Sequence, residues 1–160
     1  MRSTTTITAL SALAMLTGPR PFVSPSDRLQ APDACSLLTV QQVSAALGTT
    51  VESGKLLIAS NPRSCGWAPA GGPKIGGKKV TLTLISVQSF ETGKKPVQGI
   101  EKSSLSGVGD DAVYITTPPF DTALNVKKGN SAFQIRVGGF KTEEEKAIEK
   151  ALAPQVLARM

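Results

Sequence analysis

Apolar residues along this chain fall into three kinds of spacing, and each predicts a different element. The first is helical. Leu38, Val40, Val43 and Leu47 recur at helical steps and predict a helix over about Val40 to Leu47, with Val40, Val43 and Leu47 as its buried stripe. Both ends are signalled. Thr39 followed three residues later by Gln42 is a capping box, in which hydroxyl and amide each satisfy an orphan backbone N–H. Leu38 and Val43 are placed for a hydrophobic staple, and Gly48 supplies the left-handed residue that stops the helix. A second helix is expected from about Glu143. Thr142 with Glu145 forms another capping box, and Glu143, Glu144 and Glu145 complement the positive end of the helix dipole. Ala147, Ile148, Ala151 and Leu152 are its packing stripe, Pro154 is expected to kink or end it, and Gln155 to Met160 adds at most one further turn.

The second spacing alternates. Val80, Leu82 and Leu84 interleave with Thr81 and Thr83 in the clearest strand, Lys79 to Val87. Shorter strands are expected over Lys55 to Ala59 and Cys65 to Ala68, with Asn61-Pro62-Arg63 as the turn between them. Gly107 and Gly109 form a tight turn feeding a strand from Ala112 to Thr117, and Pro118-Pro119 make a loop. A hairpin then spans Ala123 to Val137. Turning at Gly129-Asn130 pairs Val126 with Phe133 and Leu124 with Ile135, which puts the large apolar residues on one face and Asn125, Gln134 and Arg136 on the other. Phe90 to Ser104 has room for a short helix, limited by Pro96 and Gly99.

The elements add up to an α+β domain over residues 35–160. A twisted antiparallel sheet of about five to six strands is packed on one face by the N-terminal and C-terminal helices. Its other face is expected to be partly open, lined by Thr81, Thr83, Asn125, Gln134 and Arg136 as candidate ligand contacts. Trp67 has two readings, a core residue beside a cysteine or part of a ligand-facing surface.

The third spacing is one short unbroken run. Arg2, then Ile7 to Leu16, then Gly18 and Pro19 follow the order of a signal peptide: a positive start, an apolar stretch too short for a stable bilayer span, and a helix breaker. Residues 1–25 are read as that leader without a clear cleavage site, and 26–34 as a Pro-rich linker. No cysteine follows the apolar run closely, so a soluble product is expected. Export also accounts for the cysteines, because a lone pair in an exported chain is normally a disulfide. Closing Cys35 to Cys65 contributes about 3.5 kcal/mol in the chain-entropy account.

Composition mostly removes functions. The chain has no histidine, which takes away the commonest general base and metal ligand and the Ser-His and Cys-His nucleophile pairs. Two cysteines leave a zinc site two ligands short, so neither metal nor cofactor is expected. Gly72 to Lys78 has the letters of a phosphate-binding loop, but Lys79 stands where the hydroxyl ligand belongs and a strand follows instead of a helix; a flexible loop over Pro69 to Lys78 is the better reading. Asp110 and Asp111 are adjacent, so on an extended chain they point to opposite faces and make a poor catalytic pair. Net charge is +6, and without Arg2 and Arg20 it is +4. The charge comes as scattered lysine pairs with 4% aromatic residues, which argues against nucleic-acid binding and leaves a weak preference for anionic surfaces.

Five local markers occur in order: Cys35-Ser-Leu-Leu-Thr39, Val43 to Gly48, Cys65-Gly-Trp67, Ser106-Gly-Val-Gly-Asp110 and Lys128-Gly129. Together they resemble an uncharacterised family of small secreted or lipid-anchored actinobacterial-type domains, over about Ala31 to the C-terminus. The resemblance implies paired cysteines and an extracytoplasmic (secreted or periplasmic) location, with no established activity and no catalytic residues. The expected function is therefore a non-enzymatic, monomeric exported domain that binds a small ligand or an envelope partner, with no transmembrane span in the mature protein. The alternatives are a carboxylate-dependent secreted hydrolase, drawing on Glu91, Asp110, Asp111 and Asp121, or an inhibitor of a secreted enzyme that uses the Pro69 to Lys78 loop.

Overall fold

The computed structural model describes residues 33–73, 76–118 and 121–160. The leader expected at 1–25, most of the linker, the tip of the Gly-rich loop and Pro119 lie outside the described residues. Seven strands form one antiparallel sheet: β1 (Lys55–Ile58), β2 (Asn61–Trp67), β3 (Lys79–Ile85), β4 (Glu101–Ser104), β5 (Asp111–Thr117), β6 (Asp121–Lys128) and β7 (Ser131–Gly138). Their spatial order is β1-β2-β3-β7-β6-β5-β4, so two meanders join where β3 pairs with β7. Three helices accompany them, α1 (Val40–Leu47), α2 (Val87–Lys94) and α3 (Thr142–Leu157), with a 3₁₀ turn at Ala34–Ser36. The α+β class holds, with seven strands instead of five to six. The added strand is β4, whose residues Glu-Lys-Ser-Ser carry no apolar alternation to reveal it.

The β6–β7 hairpin has the expected register, with Leu124 opposite Ile135 and Val126 opposite Phe133. α1 is capped as its sequence dictates. Gln42 N–H donates to Thr39 Oγ1 at 3.2 Å, Thr39 N–H donates to Gln42 Oε1 at 2.8 Å, and Gly48 stands at φ 64°. Its stripe is narrower than expected, because Val40, at the first helical position, is 36% exposed while Val43 and Leu47 are buried. The turn between β1 and β2 lies at Ala59-Ser60 rather than at Asn61-Pro62-Arg63. Asn61 already pairs with Ile58, and Pro62 is tolerated because it sits at the start of the strand.

α3 departs most from expectation. It starts one residue earlier, with Lys141 as N-cap; Glu144 Oε2, not Glu145, reaches back to accept from the N-cap N–H, at 3.1 Å. Its buried side is Glu145, Glu149, Leu152, Ala153 and Val156, while Ala147 and Ala151 are exposed. The two glutamates turn inward because backbone donors await them: Val137 N–H donates to Glu149 Oε1 at 3.1 Å and Phe140 N–H to Glu145 Oε1 at 3.3 Å. A stripe drawn from hydropathy alone cannot include them. The helix also continues through Pro154, an exposed position, to Leu157.

The main core lies between one sheet face and the pair α1 and α3. Trp67, Leu82, Leu124, Phe133 and Ile135 meet Val43, Leu47, Leu152 and Val156 there. The Cys35–Cys65 disulfide, with Cα atoms 5.1 Å apart, ties the 3₁₀ turn to β2 at the edge of this core. Full burial of several large apolar side chains, each contributing about 1.5–3 kcal/mol, makes this cluster the principal source of stability. A smaller cluster sits on the opposite face, where Phe90 of α2 packs on Val113 and Ala132 with Ile85 and Ile115 beside them. No described helix is long and apolar enough to cross a membrane.

Candidate functional site

The second sheet face is divided in two. Over β5, β6 and β7 it is roofed by α2. Over β1, β2, β3 and part of β7 no described helix covers it, and the strand registers line up its side chains in rows. Ser64 stands opposite Thr83, Thr83 opposite Gln134, and Gln134 opposite Asn125. The next row runs from Lys55 to Gly66, Thr81 and Arg136, and the row after it from Lys79 to Gly138. Alternation alone places these residues on one face, since a strand sends every second side chain to the same side.

Hydrogen bonds fix the first row. The Ser64 and Thr83 hydroxyls are 2.9 Å apart, and Gln134 Nε2 donates to Asn125 Oδ1 at 2.9 Å. Thr81, Thr83 and Gln134 are half-buried and Arg136 is exposed, so these four can present polar groups outward. The other two candidates do not. Asn125 is on the expected face but only 3% exposed, because α2 passes over it; a methyl group on Gly93 would lie 3.3 Å from its Nδ2. Trp67 is 2% exposed and sits on the core face against Gly54 and the disulfide, which corrects its ligand-facing reading. Its position beside the bridge follows from Cys65 and Trp67 being two apart on one strand.

Lys55, Leu57 and Lys79 belong to this face as well, although they were not among its expected ligand contacts. They line a recess of about 250 Å³ with Gly66 and Thr81. Gly66 has no side chain, and Leu57 fills the space above it; a Cβ there would meet Leu57 Cδ2 at 2.8 Å. A second recess, of about 350 Å³, lies between Lys79 and Arg136, with Gly77, Gly138 and Gly139 at its wall. Both recesses are shallow, and Lys79 borders both.

Of the carboxylates considered for hydrolysis, Glu91, Asp110 and Asp111 occupy the other half of the molecule, and the Asp121 side chain lies outside the described residues. Asp111 pairs with Lys94, and Glu91 pairs with Lys127 at 2.5 Å. Asp110 Oδ2 accepts from Gly129 N–H at 2.6 Å, which anchors the glycine turn to the β6–β7 hairpin. Hydrogen bonding to Glu91, with the fields of Glu91, Asp111 and Asp110, holds the Lys127 ammonium above the usual lysine range. The three acids thus gather round cations at the surface and do not face one another across a cleft. Among the described residues no group of three His, Cys, Asp or Glu is placed to hold a metal ion. On β5, the Tyr114 phenol is pushed up to about 12 by burial, with Glu149 and Glu143 adding to the shift. Its hydroxyl donates to the Lys146 carbonyl at 2.8 Å, so it joins β5 to α3. Compared with family models, curated proteins and solved structures, the chain finds no match.

Proposed function

We propose that this chain is an exported, non-enzymatic domain that binds its ligand or envelope partner on the open half of the second sheet face. The observation that carries this reading is the polar array itself. Ser64, Thr81, Thr83, Gln134 and Arg136 are held in register on three adjacent strands, so a partner meets them already positioned. Hydroxyl and amide groups with Arg136, Lys55 and Lys79 around them suit an anionic or hydroxyl-rich partner. The shallow recesses favour a partner that lies against the face over a small substrate enclosed and shielded from water. Each described carboxylate from the hydrolase alternative is engaged by a lysine or a backbone N–H, which supports a structural role for those acids. The disulfide supports an oxidising, extracytoplasmic location.

Native mass spectrometry of protein purified from an exporting host tests the reading. The expected species lacks the leader, carries two hydrogens fewer than the reduced chain, and holds extra mass that is released on denaturation without reductant. Thr83→Glu, which puts a charge in the middle of the array, is expected to arrive without that mass. A full-length reduced chain would remove the export argument, and extra mass retained by Thr83→Glu would move the site elsewhere.

A further inference from the structure

The charge of this chain is unevenly placed. Residues 34–90 contain five basic residues and one acidic residue, whereas residues 91–160 contain ten basic and nine acidic. The excess therefore belongs to the meander β1-β2-β3 with its loops, since α1 carries no charged residue, and the one acid, Glu52, is paired with Lys55 at 2.5 Å. The same meander exposes the largest apolar side chains of any described strand. Leu57 is 55% and Ile58 58% exposed, at the last two positions of edge strand β1 before the hairpin turn. Lys55 precedes them and shares a recess with Leu57 and Lys79, whereas Arg63 on β2 turns to the other face, its Nε donating to the Leu84 carbonyl at 3.0 Å.

We infer that the β1–β2 hairpin docks on an anionic lipid bilayer, with Leu57 and Ile58 entering the interfacial layer and Lys55 and Lys79 meeting lipid phosphates. The inference rests on the reading of this face as the binding surface and names the partner. Exposed apolar side chains at a hairpin tip with lysines beside them combine apolar insertion with attraction to a negative surface. A second copy of the chain fits less well, since pairing the edges would bring two positive meanders together. Strand addition by a peptide or by another copy is also disfavoured by the structure of the edge. β1 has four residues, which leaves a short ladder for a new strand to extend.

Flotation of the full chain with phosphatidylcholine vesicles, with and without phosphatidylglycerol, tests the inference. Binding is expected only to the anionic vesicles and is expected to weaken as salt rises. Lys55→Glu/Lys79→Glu should weaken it by about thirtyfold or more, and Leu57→Ser/Ile58→Ser by about tenfold. Lys128→Glu/Lys150→Glu makes the same charge change at exposed positions outside the meander and should alter binding by less than about threefold. Every chain compared carries the same N-terminal segment, so the differences report the hairpin. Equal binding to neutral vesicles, or undiminished binding of Lys55→Glu/Lys79→Glu with an unchanged melting point, overturns the inference. So does a sedimentation-velocity dimer that Leu57→Ser/Ile58→Ser dissolves, because the edge would then serve a second copy. If vesicles fail to bind while Thr83→Glu still removes a co-purified mass, the lipid partner is wrong and the binding face stands; if that mass also survives Thr83→Glu, both fall.

Discussion

At β4 the sheet ends in Glu101, Lys102, Ser103 and Ser104; at β1 it ends in Lys55, Leu56, Leu57 and Ile58. Both edges are four residues long, and both must avoid uncontrolled pairing with another strand. They do so by different means. β4 uses charged and polar side chains, and Lys102 also donates to the Lys95 carbonyl in the loop that follows α2. β1 keeps apolar side chains in water and relies on brevity. The meanders behind the edges differ likewise. The one ending at β4 is fastened by α2 on one face and α3 on the other, whereas the one ending at β1 is fastened by a covalent bridge. An edge that spends its residues on apolar exposure lacks the side chains that hold the opposite edge, and the disulfide compensates for that.

Breaking the bridge should therefore have the largest effect. Cys35→Ser/Cys65→Ser opens a cross-link across 30 positions and is expected to cost about 3.5 kcal/mol by urea unfolding. Hydrogen exchange sharpens the result. The amides of β1 and β2 are expected to lose protection before those of β5, β6 and β7. Equal loss along both meanders would mean that the bridge holds the whole domain and not its β1 side.

The corresponding weak point of the other meander is a glycine. Gly109 stands at φ 63°, and a methyl group there would lie 2.5 Å from the Lys127 carbonyl oxygen, which also accepts from Asp110 N–H at 2.8 Å. Neither backbone can withdraw without losing that bond. Gly109→Ala is expected to cost about 2–3 kcal/mol in the same urea assay. A cost below that of an ordinary surface change would show that the turn yields.

These elements differ in how far they could be read from sequence. The α1 cap and the β6–β7 register were legible because each rests on contacts between residues near in sequence, Thr39 with Gln42 and Leu124 with Ile135, and the Gly109 turn was legible from its glycines although its partner Lys127 was not. The inward turn of Glu145 and Glu149 was not, because it depends on N–H groups at the end of β7 that only the fold brings to α3. β4 was missed because an edge strand defended by polar residues has the pattern of a loop. In the candidate site, Thr81, Thr83, Gln134 and Arg136 could be assigned by alternation. The loss of Asn125 from the open face depends on where α2 crosses, and the burial of Trp67 on which face its strand turns to the core. Lys55 and Lys79 had a signal in the sequence, the charge excess before residue 90, which shows only when charge is counted by region.

A smaller effect separates the meanders by pH. Tyr114 on β5 ionises at about 12 in the folded protein because burial disfavours the phenolate, against about 10 for an unperturbed tyrosine. The unfolded chain releases this proton first, so the stability linked to Tyr114 is intact below pH 10 and lost as pH rises from 10 to 12. The fall is expected to be about 1–2 kcal/mol, and Tyr114→Phe should remove that part of the slope while losing the bond to Lys146. An unchanged slope in the variant would assign the alkaline loss to the lysines instead.

The smallest effect is expected at the apolar edge itself. Leu57 covers Gly66 with one face of its side chain and is 55% exposed, so Leu57→Lys gives up little burial and can keep its methylene stem over the glycine. Its stability should stay within about 0.5 kcal/mol of the parent, against the roughly 2–5 kcal/mol expected for Leu82→Ala in the core between sheet and helices. Calorimetric melting of the two variants side by side checks the difference. A leucine that contributes almost nothing to folding and yet remains in water beside two lysines has its role outside the fold. If Leu57→Lys instead cost as much as a core truncation, the exposed edge would be a structural necessity of β1, and the contrast between the two edges would no longer point to a partner.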